Sequence, residues 1–154
     1  MLPEGILETS RISVADPASS KKRILEQAAQ LLAGNAEEPG SEQIFERLLE
    51  RERLGSTGLA GGVALPHARM PGIEDSRGAF LQLAEAVEFD ALDGQPVDLV
   101  FALLVPEEAN EEHLQLLARL AAMFNEEPLR NRLREAEAEE AMAILSGSSS
   151  THAA

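Results

Sequence analysis

The run DLVFALLVP (98–106) constrains the fold of this chain more than any other stretch. A strand with one face in water alternates apolar and polar residues, whereas this one is apolar at almost every position. Such a run needs cover on both faces, which places it in the interior of a sheet between two layers of other structure. The neighbouring strand-like segments are GVALPH (62–67) and GAFLQLAEAVEF (78–89), the latter interrupted. MPGIEDS and DALDGQP lie between them and are rich in turn formers. These connections are too short for helical crossovers, so the sheet is predicted to be mixed rather than purely parallel. RISVAD (11–16) alternates as an edge strand does.

The covering layers are legible as helices. Ser19 or Ser20 can cap a helix carrying Ile24, Leu25, Ala28, Leu31 and Leu32 on one face, stopped by Gly34-Asn35. After a Pro39-Gly40 turn, Ser41 opens a second helix with Ile44, Phe45, Leu48 and Leu49 inward, ended by Gly55. Asn110 can cap a third, EEHLQLLARLAAMF, and the segment from Asn125 to Gly147 supplies one or two more, with Pro128 in a first turn. The expectation is one α/β domain over residues 1–146, a mixed sheet between helical layers, and a disordered tail from 147 to 154. No internal repeat is present.

Charge narrows the function. Thirteen Lys and Arg against 27 Asp and Glu give a formal net charge of −14, which repels phosphate backbones and argues against nucleic acid. A basic protein surface would be attracted instead, although acidity also simply favours solubility. The absence of cysteine excludes a disulfide framework, a thiolate metal site and a cysteine nucleophile. No signal-peptide pattern opens the chain and no apolar run approaches the ~20 residues of a membrane span, so a cytoplasmic protein without membrane insertion is expected.

Chemistry concentrates at GSTGLAGGVALPHARMPG (55–72). Alternation puts Val63, Leu65 and His67 on one face of the strand, with His67 where the strand leaves the sheet. The glycines upstream permit close approach and leave backbone amides for an anion, so Ser56, Thr57, Gly58, Gly61 and Gly62 form a candidate phosphate-binding loop. Neutral imidazole is a good nucleophile near pH 7, and amides can offset developing phosphate charge. Arg51 and Arg53 close the helix that feeds the loop, and a guanidinium matches phosphate oxygens with two prongs. His113, in a helix first turn, is expected to be neutral and close to a natural anion position. Each residue also has a plain structural reading: a packed histidine, helix-end cations, a histidine facing water. Ser56 or Thr57 as a nucleophile lacks a G-x-S-x-G elbow. The histidines are too few and too far apart in sequence for zinc, and His152 in the tail carries no assignment.

The run LAGGVALPHA (59–68), with RERLGSTG (51–58) before it and FDALDGQPVDLVFALLVP and HLQLLARLA after it, resembles the fructose/mannitol-type enzyme IIA domains of the bacterial phosphotransferase system. The resemblance extends from Ile12 to about Leu145 and is nearest to the nitrogen-regulatory type. Members of that type commonly have Gly-Asn-Gly where this chain has Ala60-Gly61-Gly62, and Gly where it has Ala68. The resemblance implies an enzyme IIA type-2 fold and a phosphocarrier in which His67 is phosphorylated, with Arg51 and His113 at the family's other catalytic positions. It implies a phosphorylated HPr-like carrier as donor, transporters or sensor kinases as regulated partners, and no metal or organic cofactor. A sugar-specific enzyme IIA that passes phosphate to a transporter IIB domain is the alternative. Leu59 and Met70, beside the loop, are the expected apolar contacts of a docked carrier.

Overall fold

In a computed structural model of the chain, which describes residues 2–3, 5–35, 39–109 and 111–147, the apolar run lies within the strand β5. The expected cap Asn110, His152 and the tail from 148 onward fall outside the described residues. Five strands make one mixed sheet: β1 (Ile12–Asp16), β2 (Val63–Ala64), β3 (His67–Met70), β4 (Arg77–Val87) and β5 (Val97–Pro106). β5 is interior, antiparallel to β4 on one side and parallel to β2 and β3 on the other. β1 runs parallel to β4 along the far edge, as RISVAD suggested.

Alternation along β5 divides its side chains between two cores. Val100, Ala102 and Leu104 face α1 (Lys21–Ala33) and α2 (Ser41–Leu54). Leu99, Phe101, Leu103 and Val105 face α3 (Glu111–Phe124), α4 (Glu127–Glu135) and α5 (Ala138–Ser146). From Leu99 to Leu104 every residue is wholly buried, which is why no polar residue occurs in the run. Burying each large apolar side chain contributes about 1.5–3 kcal/mol. Phe101 stacks obliquely on Phe124 at 6.1 Å between ring centres, and its own ring occupies the space beside Gly78, where a Cβ would come within 2.6 Å. Gly78 is therefore required by close approach.

The helix ends follow local chemistry. Ser20, not Ser19, caps α1 and accepts a hydrogen bond from the Arg23 amide at 3.2 Å. Gly40 precedes α2 and donates its N–H to Gln43 Oε1 at 2.9 Å. The segment after residue 125 forms two helices, α4 and α5, with Pro128 in the first turn of α4, where a missing N–H costs nothing.

The segment GVALPH departs from its expected form. It does not end at His67: β2 and β3 are two parts of one strand running parallel to β5, interrupted at Leu65-Pro66. Pro66 has no N–H to give the ladder, but its carbonyl accepts from Leu103 N–H at 2.9 Å, so the register is the same on both sides of the break. His67 thus opens the second part of an edge strand instead of leaving the sheet.

Candidate functional site: a cleft at the edge of strand β3

Beside the edge strand β3, the C-terminal half of α2 and the start of α3 border a cavity of about 640 Å³. Arg51, His67 and His113, far apart in sequence, all line it. Arg47, Arg53 and Arg69 line it as well, with Glu50 the acidic residue among them. A chain of net charge −14 therefore places four guanidinium groups and two imidazoles along one cavity.

His67 is half-buried, and its Nδ1 lies 2.8 Å from the carbonyl oxygen of Leu65. A carbonyl can only accept, so Nδ1 carries the proton and donates it, and Nε2 keeps its lone pair. Burial pushes the imidazole below its ordinary pKa; the bond to Leu65 opposes this, Arg51 adds to it, and Glu52 opposes it. The lowered value favours the neutral ring, in which Nε2 is the unprotonated nitrogen.

Arg51 donates from Nη1 to the Gly55 carbonyl at 2.8 Å, satisfying an orphan carbonyl at the end of α2. The helix-end reading and the cavity reading therefore hold together, since a guanidinium has further donors for an anion. His113 sits in the first turn of α3 and also borders an adjoining cavity lined by Ser76, Gln115 and Arg119.

Two residues gain a role that the sequence did not disclose. Arg69 donates to the carbonyls of Glu107 and Ala109 at 3.0 and 3.2 Å, tying β3 to the loop that leads into α3 and so fixing where His113 stands. Its signal was its place two residues after His67, on the same side of the strand. Glu52, between two cavity-lining arginines, turns the other way and is buried against Lys21 and Thr57. A carboxylate between two arginines on a helix reads as a solvated charge, and nothing local marks it as buried.

The candidate phosphate-binding loop lies apart from this cavity. Ser56, Thr57, Gly58, Gly61 and Gly62 do not line the cavity, because they precede β2 at the opposite end of the broken strand. Several of their groups are already engaged. Thr57 N–H donates to the Glu52 carboxylate at 3.2 Å, Gly58 N–H to Ser56 Oγ at 3.0 Å, and Gly61 N–H to Asp93 at 3.1 Å. Ser56 Oγ donates to the Phe89 carbonyl at 2.7 Å, and the Thr57 hydroxyl donates to Glu52; neither residue lines the cavity. The Gly61 carbonyl accepts from Arg134 at 2.6 Å, and Arg134 also pairs with Asp98 at 2.8 Å. Gly61 and Gly62, both at φ +81°, serve this tight turn beneath α4. Met70 likewise faces the core at 3% exposure, and the exposed apolar residues at the cavity rim are Leu54 and Leu114.

Among the described residues, no group of three or more His, Asp or Glu is placed to hold a metal ion, and no helix is long and apolar enough to cross a membrane.

Comparison with known proteins agrees with this arrangement. Residues 5–147 match the family described as phosphoenolpyruvate-dependent sugar phosphotransferase system, EIIA 2. The chain is 51% identical over 139 residues to the nitrogen regulatory protein of Pseudomonas aeruginosa, covering 90% of each. It is 33% identical over 129 residues to a fructose-specific EIIA component of Haloferax volcanii, covering 84% of each. Its structure superposes on the nitrogen regulatory protein IIA-Ntr of Neisseria meningitidis with a TM-score of 0.84 at 46% identity, over 91% of this chain and 96% of that one. The fold is shared with the mannitol IIA of Escherichia coli, with a TM-score of 0.73 at 24% identity over 90% of this chain and 97% of that one. The chain belongs to the type-2 enzyme IIA family of the phosphotransferase system and has the mixed sheet between helical layers of that fold.

Proposed function

We propose that this protein is a regulatory phosphocarrier of the nitrogen type, which accepts a phosphoryl group on His67 Nε2 from a phosphohistidine of an HPr-like carrier. The observation that carries the reading is the Nδ1–H···O=C bond to Leu65, which presents Nε2 as a lone pair in an arginine-lined cavity. In the transfer the P–N bond of the donor breaks as the Nε2–P bond forms. If the donor ring is protonated on its other nitrogen, it leaves as neutral imidazole. His67 keeps its Nδ1 proton on the Leu65 carbonyl and becomes the phosphoimidazolium, so no proton has to move between the proteins. Catalysis then rests on positioning and charge stabilisation. Arg51 bears the phosphoryl oxygens, and His113 donates a hydrogen bond to them.

The acidic chain as a whole attracts a basic carrier, while the arginines and Leu54 at the cleft receive the phosphorylated centre. Phosphorylation brings about −1.5 to −2 charges into this cationic cleft, a change large enough to switch which partner binds it. Transporters and sensor kinases in the cytoplasm are partners of the kind this output would serve. The rival is a sugar-specific component that hands phosphate to a transporter IIB domain, favoured by the likeness to the fructose-specific relative; the nitrogen regulatory relative is nearer in sequence.

Incubation with a phosphorylated HPr-type carrier is expected to add one phosphoryl group, stable in base and labile in acid, bound to Nε2 by ³¹P–¹⁵N NMR. His67→Ala abolishes it. Label that survives this change, or that appears on Ser56 or Thr57, refutes the assignment. Onward movement of the label to a sugar through a IIB domain would select the rival.

A further inference from the structure

Glu52 stands between Arg51 and Arg53, yet its carboxylate is 3% exposed. A buried carboxylate is costly unless it is paired and hydrogen-bonded. Here Lys21 Nζ pairs with it at 2.9 Å, and Lys21 is itself held over the Phe89 ring at 4.7 Å and near Asp90 at 3.7 Å. The same carboxylate accepts from the Thr57 amide at 3.2 Å and from the Thr57 hydroxyl. Thr57 does not touch the cleft, but the Thr57 carbonyl accepts from Leu65 N–H at 3.0 Å. The Leu65 carbonyl is the group that receives the proton of His67 Nδ1, at 2.8 Å. Leu65 precedes a proline, which restricts it to extended conformations, and Pro66 is anchored to Leu103 at 2.9 Å. The Leu65 peptide is therefore held at both ends, and one of those ends leads back to Glu52.

Resting on the phosphocarrier reading, we propose that Glu52 is a positioning residue, which through Thr57 and the Leu65 peptide fixes the orientation and tautomer of the His67 ring. Neutral imidazole in water prefers its proton on Nε2, the atom that must be bare for attack. The protein reverses this preference by aiming one carbonyl at Nδ1, and the aim depends on where Leu65 is held. The carboxylate acts on the nucleophile without touching it.

The test is ¹⁵N NMR of the histidine rings in the full, unphosphorylated chain at alkaline pH, where the imidazole is neutral. The parent is expected to show His67 almost wholly as the Nδ1–H tautomer. Glu52→Gln keeps an acceptor for Thr57 and is expected to retain that tautomer. Glu52→Ala is expected to raise the Nε2–H population several-fold and to slow phosphoryl transfer in proportion to the Nδ1–H fraction that is lost, since only the Nδ1–H form reacts. A merely structural carboxylate would lower stability and leave the tautomer unchanged. Thr57→Val removes the hydroxyl bond at the next link and is expected to shift the tautomer in the same direction, which decides the matter if Glu52→Ala does not fold. A parental tautomer ratio in whichever of the two variants folds overturns the proposal. Because this ratio is read before any phosphorylation, failure of His67 to accept phosphate in the parent would refute the phosphocarrier reading separately.

Discussion

The glycine-rich turn before β2 and the cleft beside β3 lie at the two ends of one broken strand, and they treat their polar groups in opposite ways. In the turn, Thr57, Gly58 and Gly61 donate their amides within the protein, and Arg134 closes over the Gly61 carbonyl. In the cleft, arginines and histidines converge on a cavity of about 640 Å³ that no side chain fills. The turn spends its polar groups on itself and is a scaffold. In the cleft Arg51 and Arg69 also bond carbonyls, but a guanidinium has five N–H groups, and both side chains line the cavity. A ligand site is thus marked less by how many polar groups a segment has than by how many it leaves for others.

The sharpest way to break this contrast is to remove charge from the receptive end. Arg51→Ala is expected to slow phosphoryl uptake on the order of 10²–10³-fold, as loss of a stabilising donor in a catalytic site does, with the thermal midpoint little changed. Arg51→Lys is expected to recover only part, because an ammonium lacks the planar fork. Transfer kinetics alongside circular dichroism check both; a parental rate for Arg51→Ala would remove the guanidinium from the mechanism.

A smaller loss is expected at the second histidine. His113→Ala is expected to reduce the rate on the order of 10²-fold, the low end for a lost donor, and His113→Gln, which keeps a donor, less than that. Equal rates in both variants and the parent would make His113 a spectator of the cleft.

The converse change belongs to the scaffold. Arg134→Ala removes the bonds to Gly61 and Asp98 and is expected to cost about 1–3 kcal/mol in chemical denaturation, moderated by the partial exposure of the pair. Phosphoryl uptake at saturating donor is expected to stay close to parental. A large rate loss at unchanged stability would mean that the turn takes part in catalysis after all.

The smallest expected effect is a titration. Burial holds the His67 pKa below 6.5 in the folded protein. Between that lowered value and 6.5 the unfolded chain binds more protons than the folded one, so stability falls as pH drops through this window. The neutral, receptive form of His67 persists below pH 6.5 for the same reason. NMR titration of the His67 ring checks this directly, and a midpoint above 6.5 would contradict it.

The layered fold could be read in the sequence because it depends on local periodicity. The unbroken apolar run of β5 demanded cover on both sides, which Ile24, Ala28, Ile44 and Leu48 supplied on one face and Leu116, Leu120 and Leu133 on the other, at helical spacing. His67, Arg51 and His113 were also legible as candidates, since a histidine after a proline at a strand and an arginine at a helix end are local signals, and the family resemblance joined them. The bonding of the loop was not legible, for an equally physical reason. Glycines at positive φ look the same in sequence whether their amides face an anion or a neighbouring carboxylate. Only the packed structure brings Asp93, Arg134 and Glu52 to those amides and carbonyls, and only it turns Met70 inward and leaves Leu54 outside. The sequence by itself determined which segments become strands and helices, and which residues are candidates by their chemistry. Tertiary structure decided which polar groups are spent and which are kept, because that depends on partners distant along the chain, and no local pattern records them.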